Sequence, residues 1–369
     1  MKGQWMGSLS GKVPGDVLLD LDERTDRYTG TALFIPHEAG VPSTVAFVDT
    51  GSKLEKVTFQ APIFPIEEND RAFMSREQLA EAHPEVAHDQ QAQIDLTADG
   101  GGLAVSYKTS VSSASGVLLR YEPTATSSYV PSAPASWAEF KAQVEKMDVD
   151  NYVWRGQCGP WGLQTSFHRT GRVDLRRYVY EDIPRLQGAL LPHTKTFLEM
   201  TSPLLTGGLY SLAQHHGYPT PILDWTYSPY VAAFFAFRTL PRTADEAAPP
   251  ARIFAFNRAE WPQSIGQITH VAYARPHVTM MDLPALENDR APPQQAVAMV
   301  TNVQNVEAFV RFAEQKHGYP FLIPFDLPWS ERLHALRDLR TMGITAASMF
   351  PGIDGTCEQL RHRWFETET

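Results

Sequence analysis

The chain has 369 residues, 43% apolar and 20% charged, with a formal net charge of −10. That length predicts two domains or one large one, and the composition excludes a mostly disordered or collagen-like chain. Affinity for a polyanion comes from counterions released at Lys and Arg, so the charge argues against non-specific nucleic-acid binding. The charge is uneven: residues 1–125 hold 10 basic and 18 acidic residues, a net of −8, which leaves −2 for the other 244.

Two cysteines, Cys158 and Cys357, are too few for a disulfide scaffold or a thiolate zinc site. Met1–Ser10 carries one Lys and no apolar run, unlike a secretory leader. No stretch approaches the roughly 20 apolar residues that span a bilayer; the longest run is Tyr230–Phe237. A cytoplasmic protein without a membrane partner is expected.

In chain order, residues 1–122 read as β. Short alternating segments recur at Val17–Leu21, Thr31–Ile35, Val45–Val48, Val57–Phe59, Ile94–Leu96, Leu103–Tyr107 and Val117–Tyr121. A hairpin connection is expected at Asp99–Gly102, and one helix within Met74–Ala87. The spacing predicts a small all-β sandwich or barrel. Pro123–Ala135, with three prolines and a Ser/Thr run, reads as a linker. The second domain, 136–369, opens on the capping box Ser136-Trp137-Ala138-Glu139. Trp137, Phe140, Val144 and Met147 then form one helix face.

The rest of that domain reads as mixed α+β. Strands are expected at Asn151–Trp154, Ile253–Asn257, Ala296–Thr301 and Phe321–Ile323. Helices are expected at Leu204–His216, at the apolar run Tyr230–Arg238, and at Ser330–Met342 with Leu333, Leu336 and Leu339 inward. Pro241–Pro250 and Asp282–Pro293 read as loops.

Three clusters carry chemistry. Trp154-Arg155-Gly156-Gln157, with Trp161–Arg169 after it, sets an Arg at a strand end beside a Gly. That suits a forked grip on a carboxylate or phosphate, or an internal ion pair, for which Asp224 is the candidate partner. Ala213–Thr220, running into Leu223-Asp224-Trp225-Thr226, holds His215 and His216. Adjacent side chains diverge on a helix and no third ligand is suitably spaced, so a metal site is not expected. His215 reads as an acid, a base or a hydrogen-bonding group, or as a satisfied buried histidine. The third cluster is Gly343–Thr345 with Phe350–Gly355, where Asp354 reads as a turn residue.

Together these segments resemble the FRG domain, a bacterial family, over about residues 136–365, with Trp154 where the family name has Phe. A second similarity is to ADP-ribosyltransferases. Their aromatic-Arg-Gly segment, their hydroxyl segment before an Ala/Phe-rich helix, and their Glu or Gln pair are matched in order by Trp154–Gly156, by Asp224–Thr226 before Val231–Ala236, and by Gln294-Gln295. This resemblance implies a transferase-like fold and an enzyme that consumes NAD and modifies a macromolecule, or an NAD glycohydrolase; the FRG resemblance implies a toxin or phage-defence setting. It implies that Arg155 holds the diphosphate, that Thr226 with Asp224 fixes the site, and that Gln295 orients the ribose. His215 completes the catalytic candidates. Trp154, Trp225 or Tyr218 would face the nicotinamide, and Gly156, Gln157 and Ser166 join them as candidate NAD-binding residues. Because the transferase glutamate is Gln here, a non-catalytic module binding an anionic or nucleotide-like ligand stays open, as does a purely structural polar network. The acidic β domain is expected to meet a protein rather than phosphate.

Overall fold

The computed structural model describes residues 1–67, 73–131, 135–195, 202–239 and 248–365. Eight strands open the chain: β1 (Gly3–Gly11), β2 (Gly15–Glu23), β3 (Tyr28–Pro36), β4 (Thr44–Asp49), β5 (Lys56–Pro65), β6 (Gln91–Asp99), β7 (Gly102–Lys108) and β8 (Ser113–Arg120). They pair antiparallel in sequence order and close through β1 and β8, so the expected β region is a barrel. Closure removes free strand edges. Alternate residues such as Val17, Leu19 and Leu21 point inward to an apolar core. The helix α1 (Arg76–Ala82) interrupts the meander behind a Ser75–Gln78 capping box.

Sequence periodicity missed β1, which is poor in β-branched residues and carries three glycines. Two of them are packing residues. A Cβ on Gly7 would lie 2.9 Å from the Val117 carbonyl oxygen, and one on Gly11 would lie 2.2 Å from that of Ser113. These glycines let β8 approach closely enough to shut the barrel.

The second region has a six-stranded sheet. Its elements are α2 (Trp137–Val144), β9 (Tyr152–Gln157), α3 (Ile183–Leu190), α4 (Pro203–His215), β10 (Ile222–Thr226), α5 (Pro229–Arg238), β11 (Ala251–Asn257), β12 (Val278–Met281), β13 (Ala296–Thr301), α6 (Val306–His317), β14 (Leu322–Leu327), α7 (Arg332–Thr341) and α8 (Ile353–Phe365). Sheet order is β12-β13-β10-β9-β11-β14. On one side Trp137, Phe140, Trp154 and Phe237 share a core with α5 and α7. On the other, Val153, Trp225, Phe254 and Trp261 pack under α6. Among the described residues, no helix is long and apolar enough to cross a membrane.

Three expectations change. Leu333 is exposed, because the inward stripe of α7 runs through Arg332, Ala335 and Leu339 instead. Asp354 lies in the first turn of α8, not in a free turn. The presumed linker is docked onto the second region. Tyr129 and Ser127 are buried, the Ser127 amide donates to Pro160 at 2.8 Å, and the Ala135 amide donates to Asp326 at 2.8 Å. Of the loop expected over 241–250, residues 241–247 lie outside the described residues.

The barrel also spends acidic charge inside the molecule. Asp22 of β2 is buried and accepts from Arg172 Nε at 2.8 Å, from the Val173 amide at 2.7 Å and from the Asp174 amide at 3.1 Å. Arg24 pairs with Glu181.

Candidate functional site

Thr226, at the end of β10, is the geometric centre of the site. Its backbone pairs with Trp154 of β9 on one side and with Ala296 of β13 on the other. The first two segments quoted for the second resemblance therefore sit on adjacent strands, and the third, Gln294-Gln295, leads directly into β13 beside them. The Thr226 hydroxyl donates to the Gln294 carbonyl at 2.7 Å and accepts from the Ser228 amide at 3.1 Å. Ser228 caps α5 and Pro229 opens it, so the strand turns directly into the buried helix.

A cavity of about 790 Å³ opens beside this junction. That is within the range of small-molecule sites, roughly 300–1,000 Å³. Arg155, Gly156, Gln157, His215, Asp224 and Thr226 line it. Ser211, Gln214 and His215 reach it from α4, at spacings that share one helix face. Pro123, Thr124 and Ala125 of the docked segment close another side.

Arg155 does not pair with the Asp224 carboxylate as its candidate partner. Its Nη1 donates to the Asp224 backbone carbonyl at 2.6 Å, and its Nε is buried without a partner. Spare donors on a half-buried guanidinium suit an anion. Arg169 adds a second guanidinium to the wall. Asp224 is the one carboxylate among the described lining residues. It is reached by solvent through the cavity but surrounded by protein. That desolvation raises its carboxyl above the ordinary range, against the pull of Arg155 and a hydrogen bond from Gln214. His215 is lowered by burial, then by the charges of Arg290 and His216, so its imidazole is neutral at pH 7.

Gln157 tightens the turn after β9 by donating to the Trp161 carbonyl at 2.8 Å. Gly156 has a packing role. A Cβ there would lie 1.8 Å from the Ala232 carbonyl oxygen, so α5 rests directly on β9.

Several expected residues are elsewhere. Gln295 does not line the cavity; Gln294 does, its amide held by a 2.8 Å bond to the Met349 carbonyl. Gln295 adopts φ 48°, and this left-handed residue turns the chain so that its neighbour faces the site. Trp154 and Trp225 touch the cavity, but their rings belong to the core. Trp154 packs between Phe140 and Phe325, and Trp225 packs on Phe256. Ser166 instead accepts from the Thr220 amide at 2.9 Å, and Tyr218 packs near Tyr178, both outside the lining. Glu307 lies outside the cavity as a buried staple, accepting from the Ser128 and Leu163 amides at 2.7 and 3.0 Å.

Sequence reasoning missed Trp161, which is 51% exposed and offers an open aromatic face at the cavity. It also missed Arg169. Both lie in the segment Trp161–Arg169 already singled out, but nothing in spacing separates a cavity-facing residue from its neighbours. Among the described residues, no group of three or more His, Cys, Asp or Glu is placed to hold a metal.

Residues 150–245 match the FRG domain. The FRG match begins just before β9 and runs past α5, so it contains Arg155, Arg169, Gln214, His215, Asp224 and Thr226. It is narrower than the 136–365 over which the sequence resembles the family, and it leaves β13 and Gln294 outside. No curated protein and no solved structure matches the chain.

Proposed function

We propose that the FRG cavity binds NAD and breaks its nicotinamide–ribose bond, passing the ADP-ribosyl group to a macromolecule or to water. The observation that carries this is the side-by-side placement of β9, β10 and β13, which brings Arg155, Thr226 and Gln294 to one cavity. Arg155 and Arg169 would hold the diphosphate, and Trp161 would offer a face to a ring. In the step itself, the C1′–N bond breaks and its electron pair leaves with nicotinamide. The incoming nucleophile supplies the pair for the new C1′ bond, and its proton goes to the neutral His215 or to solvent. Ionised Asp224 would stabilise the positive charge that develops on the ribose, as carboxylates do in glycoside cleavage. A bacterial toxin or defence role rests on the family resemblance alone.

A binding-only reading is favoured by Gln294, a neutral amide where a transferase has an acid. Two measurements separate the readings. The full chain is incubated with labelled NAD and cell lysate, and nicotinamide release and label transfer are followed. Calorimetry measures NAD binding alone. Turnover that is lost in Gln294→Ala but kept in Gln295→Ala supports the enzyme. Binding without turnover selects the module, and neither binding nor turnover sinks both.

A further inference from the structure

The barrel is packed at one end and hollow at the other. At the packed end the inward residues are large: Trp5, Leu21, Val57, Leu103 and Leu118. Trp5 Nε1 also donates to the Met1 carbonyl at 2.7 Å. At the other end alanines are interspersed among larger inward residues such as Leu9, Phe34, Ile94 and Tyr107. Ala32 stands opposite Ala46 across β3 and β4, and Ala92 stands opposite Ala61 across β6 and β5. An eight-strand barrel has an interior that ordinary side chains just fill. Alanines leave it unfilled, and a cavity of about 610 Å³ remains.

The mouth is also unusual. Four connections ring it, and each sets one half-buried valine into the lining: Val13, Val41, Val86 and Val111. Surface loops are normally polar, so four apolar residues at one rim mark a site that takes an apolar solute. Polar groups in the cavity are few and sit near the mouth. The Tyr107 hydroxyl is 2.9 Å from that of Ser112, and the Thr44 hydroxyl is 3.3 Å from His88 Nε2. Burial holds the His88 imidazole below its ordinary value, so it is neutral at pH 7. The charged residues near the rim, Lys12, Glu38, Glu85 and Asp89, are one base and three acids, an excess that disfavours an anion.

We propose that the barrel binds one small, neutral, apolar molecule with a hydroxyl or carbonyl at one end. The tail fills the space left by Ala32, Ala46 and Ala92, and the polar end meets Tyr107 and His88. Such a site is separate from the FRG cavity and independent of what that cavity does.

The test uses the full chain and the neutral fluorophore N-phenyl-1-naphthylamine, with 1-dodecanol and dodecanoate as competitors. Saturable one-site enhancement is expected, displaced by 1-dodecanol and at least tenfold more weakly by dodecanoate. Ala46→Leu and Ala92→Met should each weaken binding at least tenfold while keeping or raising the unfolding temperature. A signal that does not saturate, failure of 1-dodecanol to displace the probe, or a folded filling variant that binds as tightly as the unmutated chain overturns the site. Equal displacement by dodecanoate overturns the neutral head group. If both variants fail to fold, the displacement data on the unmutated chain decide.

Discussion

Arg155 grips Asp224 by its main chain: Nη1 lies 2.6 Å from the Asp224 carbonyl oxygen, and the carboxylate is left to face the cavity. A direct ion pair would have cancelled both charges and left little for a ligand. The observed arrangement ties β9 to β10 while leaving the guanidinium with spare donors. Arg155→Ala therefore removes one charge-assisted hydrogen bond, a loss of about 1.5–3 kcal/mol. The variant should fold, with an unchanged circular dichroism spectrum, and lose NAD binding or cleavage at least a hundredfold. Arg155→Lys should recover little, because an ammonium cannot make the forked contact. An unfolded Arg155→Ala protein would instead place this residue in a structural network.

Asp224 separates stability from activity. Its carboxyl is raised by desolvation, so folding favours the protonated form more than the unfolded chain does. The contribution to stability is then present at low pH and lost as pH rises through the raised value. Asp224→Asn should raise the unfolding temperature at pH 7 and have less effect at pH 4. The same change should remove NAD cleavage, which needs the ionised form and should increase with pH in the unmutated chain. Scanning calorimetry at the two pH values, with a nicotinamide-release profile, checks both signs.

Gly156→Ala should be more damaging than Arg155→Ala although it deletes nothing. The new Cβ would meet the Ala232 carbonyl oxygen at 1.8 Å and the Ala236 nitrogen at 2.8 Å. Both are backbone atoms of α5, so relief requires moving the helix off the sheet. A loss of more than about 3 kcal/mol is expected, typical of overpacking at a rigid site. Urea denaturation measures it.

Asp22→Ala tests the joint between barrel and FRG region. It strips a buried carboxylate from Arg172 and from the amides of Val173 and Asp174. Arg172 keeps Asp182 at 2.7 Å, so the main cost is the two buried amides left unpaired, about 1–3 kcal/mol each. Protease cleavage within 121–131 should accelerate as the joint loosens.

Two buried histidines predict acid sensitivity. His168 and His277 are each lowered to about 3 by burial. Their neutral forms stabilise the native state above the ordinary histidine range, and this is lost as pH falls from about 6.5 toward 3. Asp174, raised to about 6 by burial, acts in the opposite direction. His277 makes no side-chain hydrogen bond through either nitrogen. His277→Leu should therefore flatten the acid limb, by up to about 1.4 kcal/mol per pH unit. Urea midpoints from pH 7 to pH 4 check the slope.

Local periodicity by itself determined most elements here. Alternation located seven of the barrel strands, the capping box at Ser136 opened α2, and the apolar run Tyr230–Phe237 is α5. As candidates, Arg155, His215 and Asp224 stood out by residue type near strand and helix ends, and Thr226 through the resemblance to transferases. What tertiary structure alone decided depends on contacts between distant segments. Closure of the barrel needed β8 to reach the glycines of β1. Pro123, Thr124 and Ala125 became a wall of the cavity because the segment after them is docked, as by the Ser127 amide on Pro160, which no linker composition reveals. The choice of Gln294 over Gln295 turned on one left-handed residue, since a single step along a chain changes which side chain faces a site. Net charge was legible as a total of −10, but only the fold showed Asp22 turned inward against Arg172 and two arginines, Arg155 and Arg169, lining one cavity.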